Sequence, residues 1–305
     1  MMKKVFSLLV MLTVFISSNA QSVSYLGYSH DARSIALGGS GVATSADAYS
    51  FFNNTSATAF SDSKAAIAAL YTKWMPGSTD LTMIGGSGFF KLGNSFSVTF
   101  AGRQIQYDEV PTSDENGLST GIFKPSDFIA GLGIAYKITG NISASVNVNM
   151  ISSKIDEEAS ANAFSGDLGF TYSTDKFNIG LKAANLGSKL DYGNGPYSLP
   201  AHLSVGFAYK TVLNESSNLT ALLNAGYLFT SSGLMAGIGI EYTYNNLINL
   251  RLGGHYGDSS KSVPSYISGG LGVCLKGVTI DLSYILSSNE SPINRTLSLG
   301  LGYRF

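Results

Sequence analysis

The chain has one cysteine and 7 prolines, and only 13% of its 305 residues are charged. A lone Cys274 excludes a disulfide scaffold and a cysteine-built zinc site, because both need several thiols. Scarce charge beside 11% aromatic residues also excludes a disordered chain, which would be poor in aromatics and rich in charge. Lys and Arg number 19 against 20 Asp and Glu, so nothing points to a nucleic-acid partner. No stretch approaches 18 consecutive apolar residues, which excludes a transmembrane helix. A soluble domain carries roughly 25% charged residues. Something other than water is expected to cover part of this surface.

What is present begins with Met1-Met2-Lys3-Lys4, a mostly apolar stretch from Val5 to Ile16, and then Ser17-Ser18-Asn19-Ala20. A basic start, a short apolar segment and a small-residue exit read as a secretory signal peptide over residues 1–20, cut after Ala20. The mature chain then starts near Gln21. The apolar stretch falls well short of the ~20 residues a membrane-spanning helix needs. Cys274 is far from the cleavage point, so lipidation there is excluded. An exported chain of this composition has one other route into a membrane, the closed β-barrel.

Strict alternation points the same way. Ile142, Ala144, Val146, Val148 and Met150 alternate with Ser143, Ser145, Asn147 and Asn149. Leu203, Val205, Phe207 and Tyr209 alternate with His202, Ser204, Gly206 and Ala208, and the row Leu297, Leu299, Leu301, Tyr303, Phe305 alternates with Ser298, Gly300, Gly302 and Arg304. The pattern predicts about 14 strands, over 64–75, 79–92, 94–107, 125–139, 142–154, 163–174, 176–186, 200–213, 218–230, 233–244, 247–257, 264–276, 278–287 and 294–305. Tight connections such as Gly93-Asn94 and Lys276-Gly277 alternate with long ones such as Asp108 to Lys124 and Gly187 to Leu199. Thr230 to Gly233 is a short exception. Short turns on one side and long loops on the other are the outer-membrane pattern. Tyr136, Tyr172, Tyr209, Tyr242 and Tyr303 fall near the short-turn ends, and Trp74, Tyr227, Phe229 and Tyr284 near the far ends. Two aromatic belts flanking an apolar band suit a bilayer, and a water-facing sandwich has no reason to sort them. The fold class expected is an all-β, transmembrane, antiparallel β-barrel spanning 63–305.

Residues 21–62 do not alternate. They carry Asp31-Ala32-Arg33, the run Gly38-Gly39-Ser40-Gly41, and Asp47-Ala48-Tyr49-Ser50 leading to Asn54. The stretch from Asp47 to Ala57 is predicted to form a short helix capped by Ser45 or Asp47. A small, glycine-rich segment before a wide barrel is expected to plug the lumen, since a 14-stranded wall is wider than side chains alone can fill. These motifs resemble the N-terminus of FadL-like outer-membrane barrels, particularly the PorV/PorQ group of type IX secretion components in Bacteroidota. That group typically shows an Asn-Pro-Ala where this chain has Asn54-Thr55-Ser56. Ala184-Asn185-Leu186-Gly187 and Leu199-Pro200-Ala201-His202-Leu203-Ser204-Val205-Gly206 are also similar to it. The resemblance implies a 14-stranded barrel of the bacterial outer membrane, non-enzymatic, that docks or handles proteins. Its partners would be outer-membrane lipid and other secretion-machine proteins or secreted substrates. Tyr303 and Phe305 are similar to the aromatic signal read during barrel assembly.

Candidate chemistry is sparse. His202 and Ser204 share a face two residues apart, but Leu203 and Val205 take the lipid side, so the pair reads as lumen polar residues rather than as an esterase couple. His30 and His255 have no companions at metal-ligand spacing, and no metal or other cofactor is expected. Gly38-Gly39-Ser40-Gly41 and Gly85-Gly86-Ser87-Gly88 lack the lysine of a phosphate loop and read as close-packing backbone. Asp167, Lys182, Glu241, Arg251, Asp281 and Arg304 fall on the inward parity, three of each sign. A filled lumen would pair them, because isolated buried charges are expensive. Asp31, Arg33 and Asn54 are the suggested counterparts of Asp167, Lys182 and Arg251. Two alternatives to protein handling stay open. One is a FadL-like transporter of a hydrophobic ligand, the other an accessory barrel of another machine such as the assembly complex. Asp108, Glu109, Asp114 and Glu115 make the longest loop acidic, where a fatty-acid transporter would want a greasy access groove.

Overall fold

The computed structural model describes residues 24–27, 29, 31–74, 81–113, 118–193, 195–261, 263–289, 291 and 293–305. The signal peptide, the start at Gln21, His30, Asp114 and Glu115 lie outside the described residues. The strands are β1 (Ala65–Lys73), β2 (Thr82–Leu92), β3 (Phe96–Gln106), β4 (Val110–Ser113), β5 (Ser119–Phe123), β6 (Ser126–Lys137), β7 (Ile142–Lys154), β8 (Ser160–Ser173) and β9 (Phe177–Gly187). They continue as β10 (Leu190–Asp191), β11 (Pro196–Tyr197), β12 (His202–Asn214), β13 (Ser217–Leu228), β14 (Gly233–Tyr244), β15 (Ile248–Gly257), β16 (Tyr266–Leu275), β17 (Val278–Ser287) and β18 (Leu297–Arg304).

Fourteen strands close into one antiparallel barrel, in chain order but without β4, β5, β10 and β11, and β18 pairs back onto β1. The expected architecture is what forms. The two long connections, however, are not plain loops: β4 pairs with β5 and β10 with β11 as small hairpins beyond the wall.

Period two sorts the side chains as the alternation demands. On β12, Leu203, Val205, Phe207 and Tyr209 are exposed while His202, Ser204, Gly206 and Ala208 are buried. The exposed apolar band runs right round the barrel, including Leu132 on β6, Val148 on β7, Ile238 on β14 and Leu252 on β15. Water-soluble monomers rarely expose patches beyond a few hundred Å², so this surface belongs in lipid. Near the short-turn end Tyr136, Tyr209 and Tyr303 are exposed, with Phe96 packed on Tyr136 at 4.7 Å between ring centroids. Tyr227 and Phe229, 5.5 Å apart, and Tyr284 lie towards the long-loop end. Trp74 corrects the belt reading. It is buried, packed inside with Leu26, Leu81 and Met83, because it continues the inward parity of Ala66, Leu70 and Thr72, while Ile67 and Tyr71 take the lipid side.

The seam between β18 and β1 ends on Phe305, whose N–H donates to Ala65 O at 2.9 Å while its own carbonyl accepts from Lys64 N at 3.2 Å. Its ring meets Tyr303 edge-on at 4.6 Å and is exposed on the lipid side. Phe305→Asp puts a charge in the aromatic girdle and removes that contact. The folded fraction in membranes, measured by heat-dependent gel migration, should fall several-fold. A wild-type level of heat-shifting barrel would refute a role for Phe305 in assembly.

Candidate functional site

The segment before β1 lies against the inward side of the wall. Asp31 starts helix α1 (Ala32–Ala36) by accepting from Ser34 N at 2.9 Å. Helix α2 (Ser50–Asn53) begins later than the motif suggests, after Tyr49, and neither Ser45 nor Asp47 is its cap residue. Asp47 instead turns the chain into it by accepting from Tyr49 N at 2.9 Å. A 3₁₀ turn, Thr55–Phe60, follows, with Asn54 accepting from Ser56 N. Asn54 Nδ2 also donates to Val42 O and Phe170 O, both at 3.1 Å, so this one amide ties the segment to itself and to β8.

Inward glycines of the wall make the space. A Cβ on Gly253 would lie 2.1 Å from Gly38 N, and one on Gly180 would lie 2.1 Å from Val42 O. Across the contact, Gly38 adopts a φ of +65° and its Cβ would strike the Gly254 backbone. Glycine is required there on both counts. Gly39, with φ of +77°, completes the turn, and Gly41 leaves room for the Asn53 side chain.

Charge fixes the docking. Glu241 on β14 and Arg251 on β15 are directly opposite in register, and Arg251 Nε donates to Glu241 Oε2 at 2.6 Å. Arg251 Nη1 also reaches Asp281 on β17, across a gap that Gly272 on β16 leaves open. From the segment, Arg33 donates to both Glu241 oxygens, at 2.9 and 3.1 Å, and to Asp47 Oδ2 at 2.9 Å. The result is one buried ladder, Asp47–Arg33–Glu241–Arg251–Asp281. Burial alone would lower the Arg33 guanidinium, but Glu241 and Asp47 outweigh it and raise it further. Burial, aided by Asp47, pushes the Asp31 carboxyl up to about 6.

A second cluster holds the opposite side. Asp167 accepts from Asn185 N at 2.8 Å and from Asn149 Nδ2 at 3.3 Å, at a register shift between β8 and β9 where Asn185 has a φ of +57°. Lys182 Nζ donates to Phe52 O, and the Arg103 guanidinium lies 5.3 Å from the centre of the Phe52 ring.

The pairings suggested from sequence therefore rearrange. Arg33 goes to Glu241, Asp31 to Asn53 Nδ2 at 2.9 Å, and Asn54 to backbone carbonyls and Thr171. Arg304 keeps the inward parity of β18 but stands apart from the buried charges, at the open mouth of the lumen. It is exposed at the short-turn rim, 2.6 Å from Cys274 Sγ, because the lumen opens there and no described residue of the segment before β1 covers it, although β1 still pairs with it at Ala66. His202 and Ser204 are buried inward, with His202 Nδ1 3.1 Å from Pro200 O. His255 Nδ1 lies 3.1 Å from Gly38 O and its ring stacks on Tyr266. Arg103, Asn149 and Asn185 were not among the sequence candidates. The inward parity of β3 was the available signal for Arg103, whereas Asn185 was marked only by the family-like motif Ala184-Asn185-Leu186-Gly187, since a register shift breaks the parity there.

Two spaces flank the segment. On the long-loop side a cavity of about 120 Å³ is walled by Trp74, Ile129, Ile151 and Ile285, with Lys182 and Asp167 among its polar groups. On the short-turn side a polar vestibule opens.

A buried segment inside a lipid-facing barrel of 14 strands narrows the family, and the sequence comparison decides it. Residues 17–234, more than half of the chain, match the family model described as type IX secretion system protein PorV. The chain belongs to the PorV family. No curated protein matches it. This PorV-family barrel is similar in fold to the toluene transporter TbuX of Ralstonia pickettii, with a TM-score of 0.65 at 15% identity over 90% of this chain and 98% of that one. The Pseudomonas putida toluene transporter TodX gives 0.63 at 15% over 94% and 98%. A Pseudomonas aeruginosa FadL homologue gives 0.56 at 14% over 95% and 99%. Such identities speak for fold alone. The PorV-family barrel resides in the bacterial outer membrane, where barrels of this kind carry short turns on the periplasmic side and longer loops outside.

Proposed function

We propose that this outer-membrane barrel is a non-catalytic, protein-handling component of a type IX secretion machine. It engages secreted substrates or other machine subunits through its outer loops and rim, while residues 21–62 act as a plug. The observation that carries the reading is the PorV match, which spans the plug motifs as well as most of the wall. The acidic outer connections, with Asp108, Glu109, Asp156, Glu157 and Glu158, suit a polar protein surface better than a greasy ligand. Extraction in mild detergent should bring secretion-machine subunits or secreted proteins down with the barrel. Recovery of the barrel with bound lipid and no protein would overturn the reading.

One observation favours a second reading, transport of a small hydrophobic ligand. The cavity of about 120 Å³ beside Trp74 and Ile151 approaches the ~150 Å³ of an engineered apolar cavity that binds benzene. Saturable binding of toluene, abolished by Ile151→Arg, would support it.

A further inference from the structure

The periplasmic mouth of the lumen is a cavity of about 880 Å³, within the range of about 300–1,000 Å³ typical of ligand pockets. It is lined by Lys176, Lys210 and Arg304 against one carboxylate, Asp175. Lys210 is half-buried on the inward parity of β12, and neither its ammonium nor that of Lys176 has a hydrogen bond or ion pair among the described residues. That is unusual in this lumen, where Glu241, Arg251 and Asp281 are paired. The same end of the barrel adds Lys64, Lys91, Lys137 and Lys276 against Asp62 and Glu215. Asn218, Asn249, Thr220 and Thr243 add amides and hydroxyls, which can donate to and accept from a peptide main chain.

We propose that this mouth is a docking site for an acidic peptide segment of a periplasmic partner. Unpaired cations in a polar recess select a ligand by complementary charge. Lys210, Asn218, Thr220, Thr243, Asn249 and Cys274 line it from the inward parity of their strands, which favours a ligand entering the lumen over a lipid headgroup at the rim. Its roof includes Ser45, whose carbonyl accepts from Arg33 at 3.4 Å, so the bound segment sits beside the ion-pair ladder that holds the plug. The assignment is independent of what the outer loops engage.

The test uses the full-length barrel in mild detergent and a fluorescent octaglutamate peptide, with octaglutamine and octalysine as comparisons. Octaglutamate alone should bind, and binding should weaken as salt screens the contact. Lys176→Glu and Lys210→Glu should each weaken it about tenfold, with heat-dependent gel migration showing that the barrel is folded. Lys154→Glu, at the outer end, should leave it unchanged. Cys274, the chain's one cysteine, lines the same cavity, so bound peptide should protect it from a maleimide. Undiminished binding to folded Lys210→Glu, or unprotected Cys274, would overturn the proposal. So would displacement of the peptide by phosphatidylglycerol vesicles, which would mark a lipid-reading surface. Co-purification of secretion proteins can succeed when this test fails, which separates the two readings.

Discussion

Replacing Arg33 by methionine should open the lumen. Arg33 is the cation shared by Asp47 and Glu241, and each of these carboxylates is mostly buried. Removing one partner of a buried pair costs about 3–5 kcal/mol, chiefly because the other charge is left uncompensated. At about 1.4 kcal/mol per factor of ten, plug docking weakens by about 10² to 10⁴. The wall keeps Glu241–Arg251–Asp281, so the barrel itself should still fold. Planar-bilayer conductance of the intact protein should be small and that of Arg33→Met many-fold larger, with residues 21–62 newly open to protease. Glu241→Gln keeps an oxygen acceptor for both arginines and should have a smaller effect. A large, steady conductance from the unmodified barrel would contradict the plug outright.

Adjacent glycines on β15 should behave in opposite ways. A side chain at Gly253 enters the plug backbone, 2.1 Å from Gly38 N and 2.4 Å from Leu37 C, with no flexible group to give way. At Gly254, one residue along and on the other face, a Cβ meets nothing nearer than Ile238 Cγ2 at 3.6 Å. Gly253→Leu should therefore expel the plug and raise conductance as Arg33→Met does. Gly254→Leu should leave conductance unchanged and add to the lipid-facing band. Both should migrate as folded barrels, since leucine suits a strand better than glycine by up to ~1 kcal/mol. Equal conductance from the two variants would show that Gly253 is not a docking contact.

The wall was legible because a barrel writes its architecture locally. Alternation on each strand states which residues face lipid, and loop length states which end is which, so the closed ring of 14 strands follows without any long-range information. The inward parity of Asp167, Lys182, Glu241, Arg251 and Asp281 was likewise readable one strand at a time. Their partners were not. Which charge meets which depends on the register that sets Glu241 opposite Arg251, and on the space that Gly272 leaves for Asp281. It also depends on how the segment before β1 threads between Gly180 and Gly253. Period two carries no signal for residues 31–60, whose short helices are held by contacts with strands two hundred residues away, as Arg33 is with Glu241. Trp74 and Arg304 keep the inward parity of their strands, yet one is buried under the long-loop end and the other exposed at the open mouth, a difference that alternation does not state. The sequence by itself determined the membrane, the strand count and the two faces of the wall, because each rests on near neighbours in the chain. Only the tertiary structure decided the ion-pair ladder and the shape of the two cavities, because these depend on where distant strands come to rest.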